Sequence, residues 1–140
     1  VYRSGIMILI YNNASQSVAS GGTISMPVTK ILKGTSATAN GGTGVKLNRS
    51  GYYNITFDVS GIVTGGGNLV VSLYANGVAI PDATNLQYST TAQNGALTIN
   101  TIVQRLPDCC AVNNDITITA VVTGDAATIN HAALKVTKLC

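Results

Sequence analysis

The sequence predicts an all-β sandwich, on three observations. Stretches such as Gly51-Tyr52-Tyr53-Asn54-Ile55-Thr56-Phe57-Asp58-Val59 alternate apolar and polar residues with the period of a half-buried strand. Glycine and asparagine pairs, among them Gly21-Gly22, Gly41-Gly42, Asn76-Gly77, Asn94-Gly95 and Asn113-Asn114, punctuate the chain at strand spacing. Glu is absent, while Thr (17), Asn (13) and Gly (15) carry the polar and turn positions, so good helix-forming runs are absent and β-branched residues abundant.

The elements follow in order. Ile6-Met7-Ile8-Leu9-Ile10-Tyr11 is a short continuous apolar run, expected as a buried strand at about 6–11. Short strands follow at about 23–26, 29–33 and 44–48, set off by the Gly pairs. In the strand at about 51–60, Tyr53, Ile55, Phe57 and Val59 share one face and Tyr52, Asn54, Thr56 and Asp58 the other, so one face is core and one is wet or interfacial. Residues 68–75 and 78–81 flank Asn76-Gly77, a strong hairpin signal. Further strands are expected at about 85–90 and 96–105. At 115–122, Ile116, Ile118, Ala120 and Val122 oppose Thr117, Thr119 and Val121, and the last strand, 127–138, sets Leu134 and Val136 against Lys135 and Thr137 less cleanly. The inward set is therefore Tyr53, Ile55, Phe57, Leu69, Val71, Leu73, Ile116 and Ile118. The regular punctuation gives one domain over 1–140.

Composition narrows function. Charged residues are 9% of the chain against a usual value of roughly 25%, which suggests that much of the surface is covered by copies of itself. The net charge of +3 comes from scattered Lys and Arg with no basic run, which argues against nucleic-acid binding. The 6–11 run is far shorter than the roughly 20 residues of a spanning helix, so membrane insertion is not expected, and it is too short for a typical export signal. Val1 leaves open an alternative start codon or removal of an upstream segment.

Enzymatic chemistry is not expected. His131 has no sequence-defined partner, and the five Asp form neither a local carboxylate pair nor a calcium loop. Asp108, Asp115 and Asp125 lie near turns, where capping is the simpler role. No Gly-rich run precedes a helix and Lys, so a phosphate cradle is excluded. No cofactor and no metal site is expected. The sequons at Asn13, Asn48 and Asn54 arise easily by chance in an Asn- and Thr-rich chain.

Gly51-Tyr52-Tyr53-Asn54-Ile55-Thr56-Phe57 resembles the G-x-Y-x-[FI]-x-[FY] strand of C1q/TNF-like jelly-roll domains. Leu73-Tyr74-Ala75-Asn76-Gly77 is similar to their L-x-x-N-G hairpin, and Leu106 followed by Asn114-Asp115-Ile116-Thr117-Ile118 to their L-x-x-G-D-x-[IV]-x-[IVL] segment. Asn114 replaces the family's Gly, Pro107–Asn113 is a longer loop, and Ala132-Ala133-Leu134-Lys135-Val136 lacks the aromatic residues of the family's last strand. The resemblance spans about 45–138. It implies a two-sheet antiparallel jelly-roll sandwich and a homotrimer about a three-fold axis. The stretch Tyr2–Asn13 with the Cys-Cys loop also resembles short proteins encoded by phages and prophages of Gram-positive bacteria.

These readings point to a virion structural protein, such as a head decoration, head-fibre or tail knob. Its partners would be itself, other virion or surface-layer proteins and a host-surface glycan or protein. A bacterial spore- or cell-surface filament subunit and a carbohydrate- or protein-binding module are the alternatives. Expected assembly contacts are Ile6, Ile8 and Ile10, whose strand could enter a neighbour's sheet, together with Cys109, Cys110 and Cys140. Adjacent Cys109 and Cys110 lie about 3.8 Å apart at Cα, below the usual disulfide range of roughly 4.4–6.8 Å, which leaves free thiols, a bridge to Cys140 or links between subunits. The loop at Pro107–Asn113 is expected to project from one end of the sandwich. Tyr74 and Tyr88 are candidates for surface recognition of sugars, against the alternative that they pack across strands.

Overall fold

A computed structural model describes residues 6–107 and 115–139. Among the described residues, eleven strands build two antiparallel sheets and there is no helix. One sheet runs β3 (Val28–Lys33), β1 (Met7–Asn12), β11 (Ala127–Lys138), β6 (Gly51–Ile62), β9 (Gly95–Arg105), with β2 (Gln16–Val18) beside the start of β11. The other runs β4 (Ala37–Ala39), β5 (Gly44–Leu47), β10 (Ile116–Val122), β7 (Gly67–Ala75), β8 (Val78–Ser89). Neighbours in each sheet are mostly remote in sequence, so the fold is decided by long-range pairing, not by hairpins alone.

The core lies between the sheets. Ile8, Ile10, Tyr53, Ile55, Phe57, Leu134 and Val136 from the first meet Val45, Leu47, Leu69, Val71, Leu73, Ile118 and Val122 from the second. Each large aliphatic or aromatic side chain so buried contributes roughly 1.5–3 kcal/mol relative to exposure. Tyr53 is fully enclosed, and its hydroxyl donates to the Arg49 carbonyl at 2.7 Å. Burial pushes its phenol above the ordinary tyrosine range, with that hydrogen bond working the other way. Of the predicted inward set, Ile116 is only half-buried, at the margin of the core.

Several boundaries differ from expectation. Residues 23–26 form no strand: Thr23 makes one bridge to Val121, and the Gly21 and Ile24 amides donate to Val122 and Ala120, so the segment skirts β10 while Ile24 and Met26 cap the core. β2 and β4 escaped the sequence reading because three residues carry no legible alternation. Residues 78–81 and 85–90 join into the single strand β8. Its position at the sheet edge and a register shift opposite Ser72–Tyr74 let Pro81, which has no amide to donate, sit inside it.

Two local features need particular residues. Asn76 adopts a left-handed φ of 52° in the β7–β8 turn, which Asn tolerates and Gly77 follows. Gly44 lies where a Cβ would stand 2.0 Å from the Ile118 carbonyl oxygen, so glycine is what allows β5 to pair with β10 there.

β11 contains the irregularity that explains its weak pattern. Ala127 and Ile129 point inward, the register shifts between Ile129 and His131, and from there Ala132, Leu134 and Val136 point inward. The extra residue inverts the alternation and turns His131, Ala133, Lys135 and Thr137 to the outside.

Candidate functional site

The outer face of the β3-β1-β11-β6-β9 sheet brings together several outward apolar side chains, and strand alternation composes it. β1 sends Ile8 and Ile10 inward, so Met7, Leu9 and Tyr11 emerge on the outside. Register sets them beside other outward residues: Leu9 lies between Ile31 and Lys135, and Tyr11 between Val28 and Ala133. Across β11, Lys135 faces Thr56 and Ala133 faces Asp58; across β6, Asn54 faces Ile102, Thr56 faces Asn100 and Asp58 faces Thr98. The face thus runs from an apolar flank with lysines to a Thr/Asn centre and then to a flank holding Ile102 and two aspartates, Asp58 here and Asp82 on adjoining β8.

Three shallow depressions mark it. Leu9, Tyr11, Asn13, Lys30, His131 and Ala133 line one. Asp58, Ser60, Asn85, Ala96, Thr98 and His131 line the next. Asn54, Asp82, Asn100, Thr101 and Ile102 line the third. Both carboxylates are oriented: Thr98 Oγ1 donates to Asp58 Oδ1 at 2.7 Å, and Thr101 Oγ1 lies 3.1 and 3.0 Å from the two oxygens of Asp82. His131 Nδ1 lies 2.6 Å from Asn13 Oδ1, which fixes the ring between two depressions without a carboxylate or nucleophile as its hydrogen-bond partner. Among the described residues no three His, Cys, Asp or Glu stand together as a metal-binding group.

The predicted assembly residues fall elsewhere. Ile8 and Ile10 are completely buried inside their own sandwich, where β1 is paired on both sides, by β3 and β11. The apolar run is core on one side only, and its outward members are Met7, Leu9 and Tyr11. Ile6 is half-buried beside Gly34, its carbonyl accepting from the Lys138 amide. Cys109, Cys110 and Cys140 lie outside the described residues, as does most of the loop between β9 and β10. Tyr74 and Tyr88 are both on the outer face of the other sheet, Tyr74 half-buried and Tyr88 56% exposed. Tyr88 pairs with Asn68, six residues from Tyr74 along β7, or roughly 20 Å, so the two rings cannot stack on one sugar.

The acidic residues near turns cap structure. Asp125 accepts from the Asn68 amide at 3.2 Å. Asp115 pairs with Arg105, which is buried, and with Lys46 at 3.4 Å; the Arg105 hydrogen bond leads in holding its carboxyl below the usual range. What the sequence reading missed was the outward set Met7, Leu9, Tyr11, Ile31 and Ile102 and the placement of the charges around it. Because residues 6–11 are all apolar, nothing in that run tells its two faces apart.

Comparison with solved structures decides the fold. The globular domain of the zebrafish complement 1qA protein superposes with a TM-score of 0.73 over 98% of each chain, at 8% identity. The fold is a C1q/TNF-like jelly roll. The vertex protein of phage PRD1 shares this jelly roll at a TM-score of 0.67 and 15% identity, covering 98% of this chain and 100% of its own. The Eiger TNF of S. frugiperda does so at 0.64 and 12%, covering 99% and 94%. No protein-family model and no curated protein sequence matches the chain, so at these identities the likeness is one of fold.

Proposed function

We propose that this jelly roll is a non-enzymatic, homotrimeric surface module of a bacteriophage virion. The observation that carries the reading is the outer face of the β3-β1-β11-β6-β9 sheet: a broad surface of Met7, Leu9, Tyr11, Ile31, Tyr52 and Ile102 interleaved with Thr56, Thr98 and Asn100, on a chain with 9% charged residues. Tyr52, Ile31 and Ile102 are 45%, 39% and 58% exposed, which is expensive to leave in water and favours burial against another copy. The trimer implied by the C1q/TNF resemblance covers such a face. A phage vertex protein of the same fold supports the virion placement.

Native mass spectrometry tests the assembly: a trimer at micromolar concentration is expected, and a stable monomer overturns it. Antibodies raised against the recombinant chain test the placement, since they should label intact particles purified from the source. Labelling of cell or spore surfaces without particles would instead establish the bacterial-surface alternative.

A further inference from the structure

Of the strands that end the sheets, β4 is only three residues long, β8 contains Pro81 beside Asp82, and on β9 the Thr98 carbonyl already accepts from Asn85 Nδ2 at 3.0 Å. β3 is different. It pairs, among the described residues, with β1 alone, and all six of its residues are exposed. Alternate N–H and C=O groups along its free side therefore point away from the sheet.

Register gives this edge two chemically distinct sides. Lys30 is the extra residue between Thr29, opposite Ile10, and Ile31, opposite Leu9, and it lines the outer depression with Leu9 and Tyr11; Lys33 lies opposite outward Met7. Leu32, opposite the buried Ile8, shares the inward side of the sheet but is 54% exposed, since the second sheet ends in short β4. Residues 1–57 hold Arg3, Lys30, Lys33, Lys46 and Arg49 and no Asp or Glu, and neither Lys30 nor Lys33 has an ion-pair partner among the described residues.

We propose that β3 accepts an extended segment of another protein as an added strand, acidic on the side of Lys30 and Lys33 and aliphatic on the side of Leu32. The inference adds a partner to the surface module described above and does not require its trimer. Main-chain pairing supplies affinity that any strand could draw on, so the side chains choose the occupant. Lysine on an edge strand opposes the pairing of identical edges, because two β3 strands side by side would crowd their lysines along one short seam. The same lysines favour Asp or Glu on an incoming strand, and no carboxylate on β1, β3, β4 or β5 competes for them. Alternation with a period of two lets one segment present acid to the lysines and aliphatic groups to Leu32.

The probe is a fluorescein-labelled peptide of about seven residues alternating Val and Asp, titrated with the whole protein and followed by anisotropy. Saturable binding is expected, weakening about tenfold or more between about 0.1 and about 1 M sodium chloride. The Lys30→Glu/Lys33→Glu variant, with the circular dichroism of the wild type, should bind it about tenfold or more weakly and take a peptide of alternating Val and Lys instead. Methylating the Val amides of one peptide and the Asp amides of another removes the donors of one peptide edge at a time, so at least one of the two should lose binding. Full binding by both methylated peptides overturns strand addition, whereas absent or salt-insensitive binding of the unmethylated peptide, or undiminished binding by the double variant, overturns the acidic partner. If the double variant fails to fold, Lys30→Gln and Lys33→Gln replace it singly: each should weaken binding severalfold, and unchanged affinity in both counts against the inference.

Discussion

Replacing Phe57 by Ala probes the centre of the sandwich. Phe57 has no exposed surface, and on β6 it sits in register between Leu134 of β11 and Ile99 of β9. Both neighbours are held by ladders along their strands, so the walls of the vacated site cannot close, and the cost should fall in the range of about 3–5 kcal/mol for a buried aromatic truncation. With an unfolding entropy of roughly 2.1 cal/mol/K per residue, a chain of 140 residues loses about 10–17 °C in Tm for that change. Urea unfolding of wild type and variant at one protein concentration measures it, because self-association adds a concentration-dependent stability. Thr56→Ala is the control, since Thr56 lies on the outer face and its hydroxyl contacts only Asn100 at 3.4 Å; its effect should stay within about 0.5 kcal/mol. A loss below about 1.5 kcal/mol for Phe57→Ala at unchanged slope would refute the view of a rigidly walled core.

Three further outcomes are expected. Asn76 ties the β7–β8 turn to β10, its Oδ1 accepting from the Thr117 amide at 2.8 Å and its Nδ2 donating to the Asp115 carbonyl at 3.1 Å; Asn76→Ala should cost about 2–3 kcal/mol, for two hydrogen bonds and a left-handed alanine, and Asn76→Gly about half of that by the same denaturation assay. The folded-state pKa of Asp115 is lowered, first by Arg105 and then by Lys46, so the stability it contributes is present above the unfolded value near pH 4 and is lost as pH falls through the lower folded value; Asp115→Asn should flatten that acid limb of a stability-against-pH curve. Of the three Asn-Gly pairs, Asn40-Gly41 should deamidate first. The Gly41 amide nitrogen attacks the Asn40 side-chain carbonyl, ammonia leaves, and water opens the imide, whereas the Asn76 amide is held at both ends and Asn94 Oδ1 accepts from Asn130; peptide mapping after storage at mildly alkaline pH would show a different order if local hydrogen bonding were not the control.

The all-β class, the strand that carries Tyr53, Ile55 and Phe57 inward, the Asn76-Gly77 hairpin and the likeness to C1q/TNF jelly rolls are all legible in the chain before it folds. These are local properties: a period of two, a turn that needs positive φ, and short motifs are each written within about ten residues. Which strands are neighbours, and with that the composition of the outer face, is set by long-range pairing in the folded sheets. Leu9 lies beside Ile31 and Lys135, residues far apart in sequence, and the pairing of β1 between β3 and β11 exists only once the sheet has closed. The bulge at Ile129–His131 could not be read either, because one unpaired residue in Thr128-Ile129-Asn130-His131 leaves no compositional mark while it turns Lys135 outward. For a similar reason the sequence alone does not separate Ile8 and Ile10 from their outward neighbours Met7, Leu9 and Tyr11. Alternation separates two faces only when their residues differ in polarity, and in Ile6–Tyr11 both faces are apolar, one against the core and the other outward on the sheet.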